Sequence, residues 1–247
     1  MKPLRRRAWW AIATVAAVIV ADVVVIWSDL LEVDLMSRLI EDGEVFAALS
    51  DEAFDDVQAN DDRQAIVFAV YLAASLAGAV FFIRWFWSAY WNLRVLGQPE
   101  TRFHPAWAIV SWFVPIFNLW RPKQMANDIW RGSIPDRSAI AKDEWNKVSV
   151  PALLGVWWAL WIVFSYLASY GGRLWWDADT PESTRNAAKL DIASSGVEIV
   201  TGVLAIAVVW NLTANQLTRA RGFAALGPEP PSGYDSDGVH GELGQPG

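Results

Sequence analysis

Two acids stand inside stretches that are otherwise apolar. Asp22 falls within the run from Trp9 to Trp27, and Glu198 within the run from Asp191 to Trp210. An acid at the centre of a membrane helix costs about 2.5–3.5 kcal/mol on insertion scales, so such groups are rare and usually paired. Asp22 and Glu198 each lie in the outer third of their run, where the cost is lower and water is within reach. As a pair they can share a proton or hold a cation, which is transporter chemistry. The plainer reading is two carboxylates solvated independently, or paired with Arg173 or Lys189.

A second constellation is polar and interfacial. Asn92 and Arg94 leave one apolar run, and Asn211, Asn215 and Gln216 leave another. Asn118, Arg121 and Gln124 lie between them in the stretch WFVPIFNLWRPKQ (112–124), which Pro115 interrupts. Arginines and amides at a membrane face suit an anionic or lipid headgroup. The same groups can instead satisfy backbone freed by the proline and anchor the broken segment.

Other chemistries find no residues. The chain has no Cys and two His, His104 and His240, so thiolate and histidine metal sites are not expected, and no cofactor is implied. No phosphate-binding loop, nucleophile elbow or H-E-x-x-H occurs. No catalytic residue is nominated, and the reading leans against an enzyme. The 17 Trp read as packing and interface anchors. The acidic pairs Asp51/Asp55 and Glu52/Asp56 lack calcium-loop spacing and read as a solvated face.

The elements that must position these groups follow from hydropathy. Lys2, Arg5, Arg6 and Arg7 precede the first run, as in an uncleaved signal anchor (1–27). Residues 28–64 hold 12 Asp/Glu and read as an acidic extracytoplasmic helical cap. Its leucines, Leu31, Leu35 and Leu39, have helical spacing; Gly43 is placed to end a helix and Ser50 to start a second, short one. A membrane domain spans 65–221, with the second span at 65–83, the broken segment at 104–120, the third span at 151–170 and the fourth at 191–210. A polar loop is expected at 171–190 and a disordered Gly/Pro-rich tail at 222–247. Small-residue ladders, Ala13/Ala17/Ala21, Ala69/Ala73/Ala77 and Ala74/Gly78, suggest that the first two spans pack together.

Charge decides the threading. With four spans and both termini inside, the cytoplasmic segments carry 15 of the 20 Lys/Arg, which is the positive-inside pattern. A fifth crossing at 104–120 would put Arg121, Lys123, Arg131, Arg137, Lys142 and Lys147 outside. Length agrees, because a helix from His104 to Val114 reaches only about 16 Å before Pro115, half of a ~30 Å core. The segment is therefore expected to be a re-entrant or shallow interfacial hairpin.

Several of these residues form a pattern: Asn92-Leu93-Arg94 with Gly97; Trp112-Phe113-x-Pro115-x-x-Asn118-Leu119-x-x-Pro122-x-Gln124 with Trp130; Leu153-Leu154-Gly155-x-Trp157-Trp158; and Leu212-Thr213-x-x-Gln216. Over residues 65–221 it resembles a family of bacterial multi-pass membrane proteins catalogued as a domain of unknown function. The resemblance implies a bacterial cytoplasmic membrane location and no activity or ligand.

The expected fold class is all-α, a polytopic helical membrane protein with four transmembrane helices and a Pro-broken hairpin. The leading functional expectation is a non-enzymatic membrane scaffold or regulatory module. The alternative is a small-solute or ion transporter or channel that uses the intramembrane acids and the hairpin. The partners expected are the bilayer, with anionic lipid at the cytoplasmic face, and unidentified proteins; nucleic acid is not expected, because the basic residues are spread along that face. What separates the two functions is whether Asp22, Glu198 and Asn118 converge on a cavity.

Overall fold

The computed structural model describes residues 2–98, 101–135, 144 and 147–225. Leu4–Glu41 forms one helix, α1, with no glycine or proline inside it. At ~1.5 Å per residue it runs about 57 Å, nearly twice the hydrocarbon core. Gly43 follows with φ +74°, and the Glu44 amide donates to Leu39 O at 2.9 Å. This is a Schellman ending that requires glycine's freedom at positive φ. Ser50 then accepts from the Ala53 amide at 3.4 Å and starts α2, Asp51–Val95. A second Schellman turn closes α2, with Gly97 at φ +79° and the Gln98 amide on Leu93 O.

Three short helices follow: α3 (Trp107–Val110), α4 (Pro115–Asn118) and α5 (Arg121–Gly132). Pro115 and Pro122 each sit in a first helical turn, where a missing N–H costs nothing. Two long helices complete the chain, α6 (Ala152–Trp176) and α7 (Pro181–Ala225). Before α7, the Ser183 amide donates to Thr180 Oγ1 at 3.2 Å and the Thr180 amide to Ser183 Oγ at 2.9 Å. This is a reciprocal cap ahead of Pro181.

The described residues are all helix and connection, without strands, and α1, α2, α6 and α7 are long and apolar enough to cross a membrane. The fold class is as expected. Three boundaries differ. The helix after Ser50 is not short but is the start of a 45-residue helix. Residues 28–41 and 51–64 continue α1 and α2 as a helical hairpin joined at 42–50, rather than forming a separate cap. The polar loop expected at 171–190 shrinks to 177–180. In each case polarity marks where water begins, while the helix ends only where a cap or glycine stops it. The expected tail, 222–247, lies outside the described residues from 226 onward.

α1 packs along both α2 and α7, and α6 packs on the far side of α7. The order is thus α2–α1–α7–α6, and α2 and α6 face each other across a gap. Glycines bring α1 close on both sides: a Cβ at Gly78 would sit 3.2 Å from Val18, and one at Gly202 3.0 Å from Ile19. The Ala74/Gly78 pair therefore lies on a packing side. Ala13, Ala17, Ala69 and Ala73 are instead exposed, so most of the predicted alanine ladder does not join the spans. Alanine suits lipid-facing helix as well as a close approach, so its spacing alone could not tell the faces apart.

Packing is dense at the two ends of the bundle. Leu35, Met36 and Leu39 pack with Ala53, Phe46 and Val57 in the outer hairpin, while Leu31 is 40% exposed. At the other end Trp85, Phe86, Tyr90, Leu93, Met125, Ile129, Trp157 and Leu212 form the main core. Trp112, from the broken segment, plugs the gap there. Its ring lies 5.7 and 5.8 Å from Phe82 and Phe86 of α2, and 6.0 and 5.7 Å from Trp158 and Trp161 of α6. Trp161 is about 14 Å along α6 from its first residue, so the plug reaches well into the bundle. Phe113 and Ile116 face outward, 72% and 65% exposed.

Candidate functional site

Between the packed ends the gap is hollow, and the two acids meet there. Asp22 is fully buried and faces the carboxyl group of Glu198. No N–H or hydroxyl group donates to either Asp22 oxygen, which leaves the Glu198 carboxyl as its facing partner. Tyr71 Oη donates to Glu198 Oε2 at 2.7 Å. Neither Arg173 nor Lys189 forms an ion pair with either acid among the described residues. A buried carboxyl beside a half-buried one, with no cationic side chain paired to either among the described residues, suits a shared proton or a bound cation.

Two cavities adjoin Glu198, with Asp22 buried behind it. The outer one, about 510 Å³, is lined by Asp29, Gln64, Tyr71, Asp191, Ser194 and Glu198 among others. The inner one, about 350 Å³, is lined mainly by apolar and aromatic side chains, including Phe82, Trp112, Trp157 and Trp161, with Ser75 and Thr201. Glu198 and Phe164 line both. Both volumes fall in the ~300–1,000 Å³ range of small-molecule sites.

Above the outer cavity a polar network holds α1 to α2. Gln64 Nε2 donates to Asp29 Oδ1 at 3.1 Å and also to Glu32, and Asn60 Nδ2 donates to Glu32 Oε1 at 3.4 Å. Arg63 donates to Ser28 Oγ at 3.1 Å and Ser28 O at 3.2 Å. Asp29 Oδ2 is buried without a hydrogen-bond partner. Sequence reading missed Tyr71, Gln64 and Asp29 as site residues. Tyr71 and Gln64 lie on the face of α2 turned toward α1, and the spacing of the acids in α1 was the one signal pointing to that face.

The other candidate cluster does not gather in one place. Asn92 is buried on α2, where its Oδ1 accepts from the Lys2 amide at 2.8 Å. Gln216 is buried on α7 and donates to Ala89 O at 2.8 Å. Asn211 is exposed and donates to its own helix at Ala207 O, and Asn215 is half-buried. Arg94 is exposed beside Trp91. The three hairpin residues do fall on one stretch. The Arg121 guanidinium lies 4.1 Å from the Phe103 ring centre and 5.5 Å from those of Trp107 and Phe117. Its Nε, Asn118 Oδ1 and Gln124 Oε1 are buried without hydrogen-bond partners. Pro115 opens α4, and Trp158 Nε1 fastens the hairpin by donating to Leu119 O at 3.0 Å.

Asp128 of α5 anchors the same region. Its Oδ1 lies 3.2 Å from Arg102 and 3.8 Å from Arg131, while its buried Oδ2 has no hydrogen-bond partner. Burial outweighs the arginines and pushes its carboxyl up to about 7. Arg131 also donates to Val148 O at 2.8 Å, tying α5 to the start of α6.

Compared with known families, residues 47–214 match the family described as a domain of unknown function (DUF4328). Neither the curated proteins nor the solved structures yielded a match.

Proposed function

This chain belongs to that family, and on that premise we propose that it is a small-solute or ion transporter of the bacterial cytoplasmic membrane, with both termini on the cytoplasmic side. The Asp22–Glu198 pair is its proton- or cation-binding site. One observation carries the reading: among the described residues a buried carboxyl, Asp22, meets a half-buried one, Glu198, without a cationic partner, and Glu198 stands where two cavities adjoin. Converging intramembrane acids of this kind belong to proton and ion pathways. The Pro-broken hairpin is the inner closure of the path, re-entrant from the cytoplasmic side, with Trp112 as its plug.

The scaffold reading keeps one observation of its own. The outer hairpin exposes Leu30, Leu31, Val45 and Phe54 on an acidic surface, which would suit a protein partner.

Proteoliposomes loaded with a pH-sensitive dye separate the two. For a transporter, adding members of a panel of cationic, neutral and anionic solutes dissipates an imposed pH gradient, and Asp22→Asn and Glu198→Gln each abolish that effect while still folding. A wild-type protein silent across the whole panel would return the function to the scaffold.

A further inference from the structure

The contrast between the two cavities narrows the solute. The outer cavity carries three acids, Asp29, Asp191 and Glu198, in a lining that is otherwise largely apolar. The inner one is walled by indole and phenyl rings and aliphatic groups, and its single ionisable lining residue is Glu198. An inorganic cation needs about six oxygen ligands around it, and the inner cavity offers only Ser75, Thr201 and Glu198 as side-chain oxygen donors. A sugar or amino acid needs many polar partners to repay desolvation. A molecule with a large apolar body and one positive charge needs what is present: aromatic faces for the body and the cation, and one acid at the edge.

We propose that the inner cavity binds an amphiphilic organic cation, its charged nitrogen against Glu198, which Asp22 backs from α1, and its apolar body among Phe82, Trp112, Trp157 and Trp161. The cation enters through the acidic outer cavity or from the lipid between α2 and α6, which flank the gap. It replaces the proton that neutralises the acid pair, so binding releases a proton and a proton taken up from the other side expels the cation. In the exchange the carboxyl O–H bond breaks and its proton passes to water as the cation arrives, and the bond re-forms when a proton returns and the cation leaves, so one positive charge replaces another. The groups facing Glu198 are Asp22 from α1, Tyr71 from α2 and Asp191 one face along α7, while α6 contributes apolar Phe164.

This inference rests on the transporter reading, and its test can fail alone. Ethidium is the probe, a planar aromatic cation whose fluorescence rises in an apolar site, titrated into the purified full chain in nanodiscs. Saturable binding is expected, at least tenfold weaker in Glu198→Gln and in Trp161→Ala, and at least tenfold weaker at pH 5 than at pH 8. A pH-indicator dye should register about one proton released per ethidium bound at pH 7. Melting temperatures near wild type separate a lost site from a lost fold, and Trp161→Phe, which keeps an aromatic face, should restore most of the binding. Three results overturn the proposal: no saturable binding; binding unchanged in Glu198→Gln; or equal binding of an uncharged phenanthridine, which would mark a generic lipid-chain pocket. If any of these arises while the proteoliposomes still answer to another solute through Asp22 and Glu198, the transporter reading stands and only the solute class falls.

Discussion

At the scale of single residues, Tyr71 and Asp128 give the sharpest tests. Tyr71→Phe removes only the hydroxyl that donates to Glu198. Losing one hydrogen bond to a buried acceptor costs about 1–3 kcal/mol, so a modest fall in melting temperature is expected. The larger effect should be on solute-driven proton flux, because Glu198 loses the hydroxyl that holds its carboxyl in place. Asp128 predicts a stability profile. Its carboxyl titrates near 7 in the fold against about 3.9 in an unfolded chain. The folded form therefore holds a proton between pH 4 and 7 that the unfolded form has lost. Stability from this group is full below about pH 4, declines as pH rises toward 7, and is flat above. Asp128→Asn should flatten that decline in a thermal melt from pH 4 to 8; an unchanged slope would refute it. Asp22 and Glu198 were legible in the sequence because an acid inside an apolar run is costly and demands a reason. Tyr71 was not, since a tyrosine in such a run reads equally as an interface anchor, and only the packing of α2 on α1 aims it at Glu198.

At the scale of elements, membrane spans were legible and helix lengths were not. Hydropathy located all four spans, but it reports where lipid ends, and α1 and α2 continue well beyond that point. The signals for the true ends were present: Gly43 and Ser50 were read, while the Thr180-Pro181-Glu182-Ser183 cap was overlooked because a polar stretch was taken for a loop. Gly43→Ala meets no neighbour within 4 Å but must hold φ +74°, so it should cost about 1–2 kcal/mol from backbone strain alone, measured as a lower melting temperature with solute binding intact. Gly202→Ala has the opposite character. Its Cβ would lie 3.0 Å from Ile19 Cγ1 and 3.2 Å from Cδ1. The contact is to a side chain that can shift, so overpacking of about 1–3 kcal/mol is expected. Because Gly202 lines the inner cavity, this substitution should alter ethidium binding where Gly43→Ala does not. The family-like pattern also acquires a physical meaning at this scale. Thr213 accepts from Trp85 Nε1 at 3.0 Å, Gln216 donates to Ala89 O, and Leu119 O accepts from Trp158. Patterned residues tie α7 to α2 and fasten α6 to the hairpin, and the acid pair lies outside the pattern.

At the scale of the molecule, charge and packing both favour the proposed threading. If 104–120 crossed fully, α5 with Arg121, Lys123 and Arg131 would face the same side as the acidic outer hairpin, against the positive-inside pattern. The structure also binds α5 to the start of α6 through Arg131 and to the end of α7, where Arg219 donates to Leu96 O at 2.8 Å and Ile134 O at 2.7 Å. The end of α2, all of α5, the start of α6 and the end of α7 therefore form one plate, and a plate belongs on one side of a membrane. The absence of cysteine makes this directly measurable, because a single introduced thiol is the whole signal. Glu44→Cys in the outer turn and Asp179→Cys between α6 and α7 should react with a membrane-impermeant maleimide added to intact cells. Lys123→Cys on α5 should react only after permeabilisation. Reaction of Lys123→Cys from outside would make 104–120 a fifth span and place Trp112 within a crossing rather than at its inner end. The cavity would then have no cytoplasmic plug, and the proton-coupled exchange built on it would lose its inner gate.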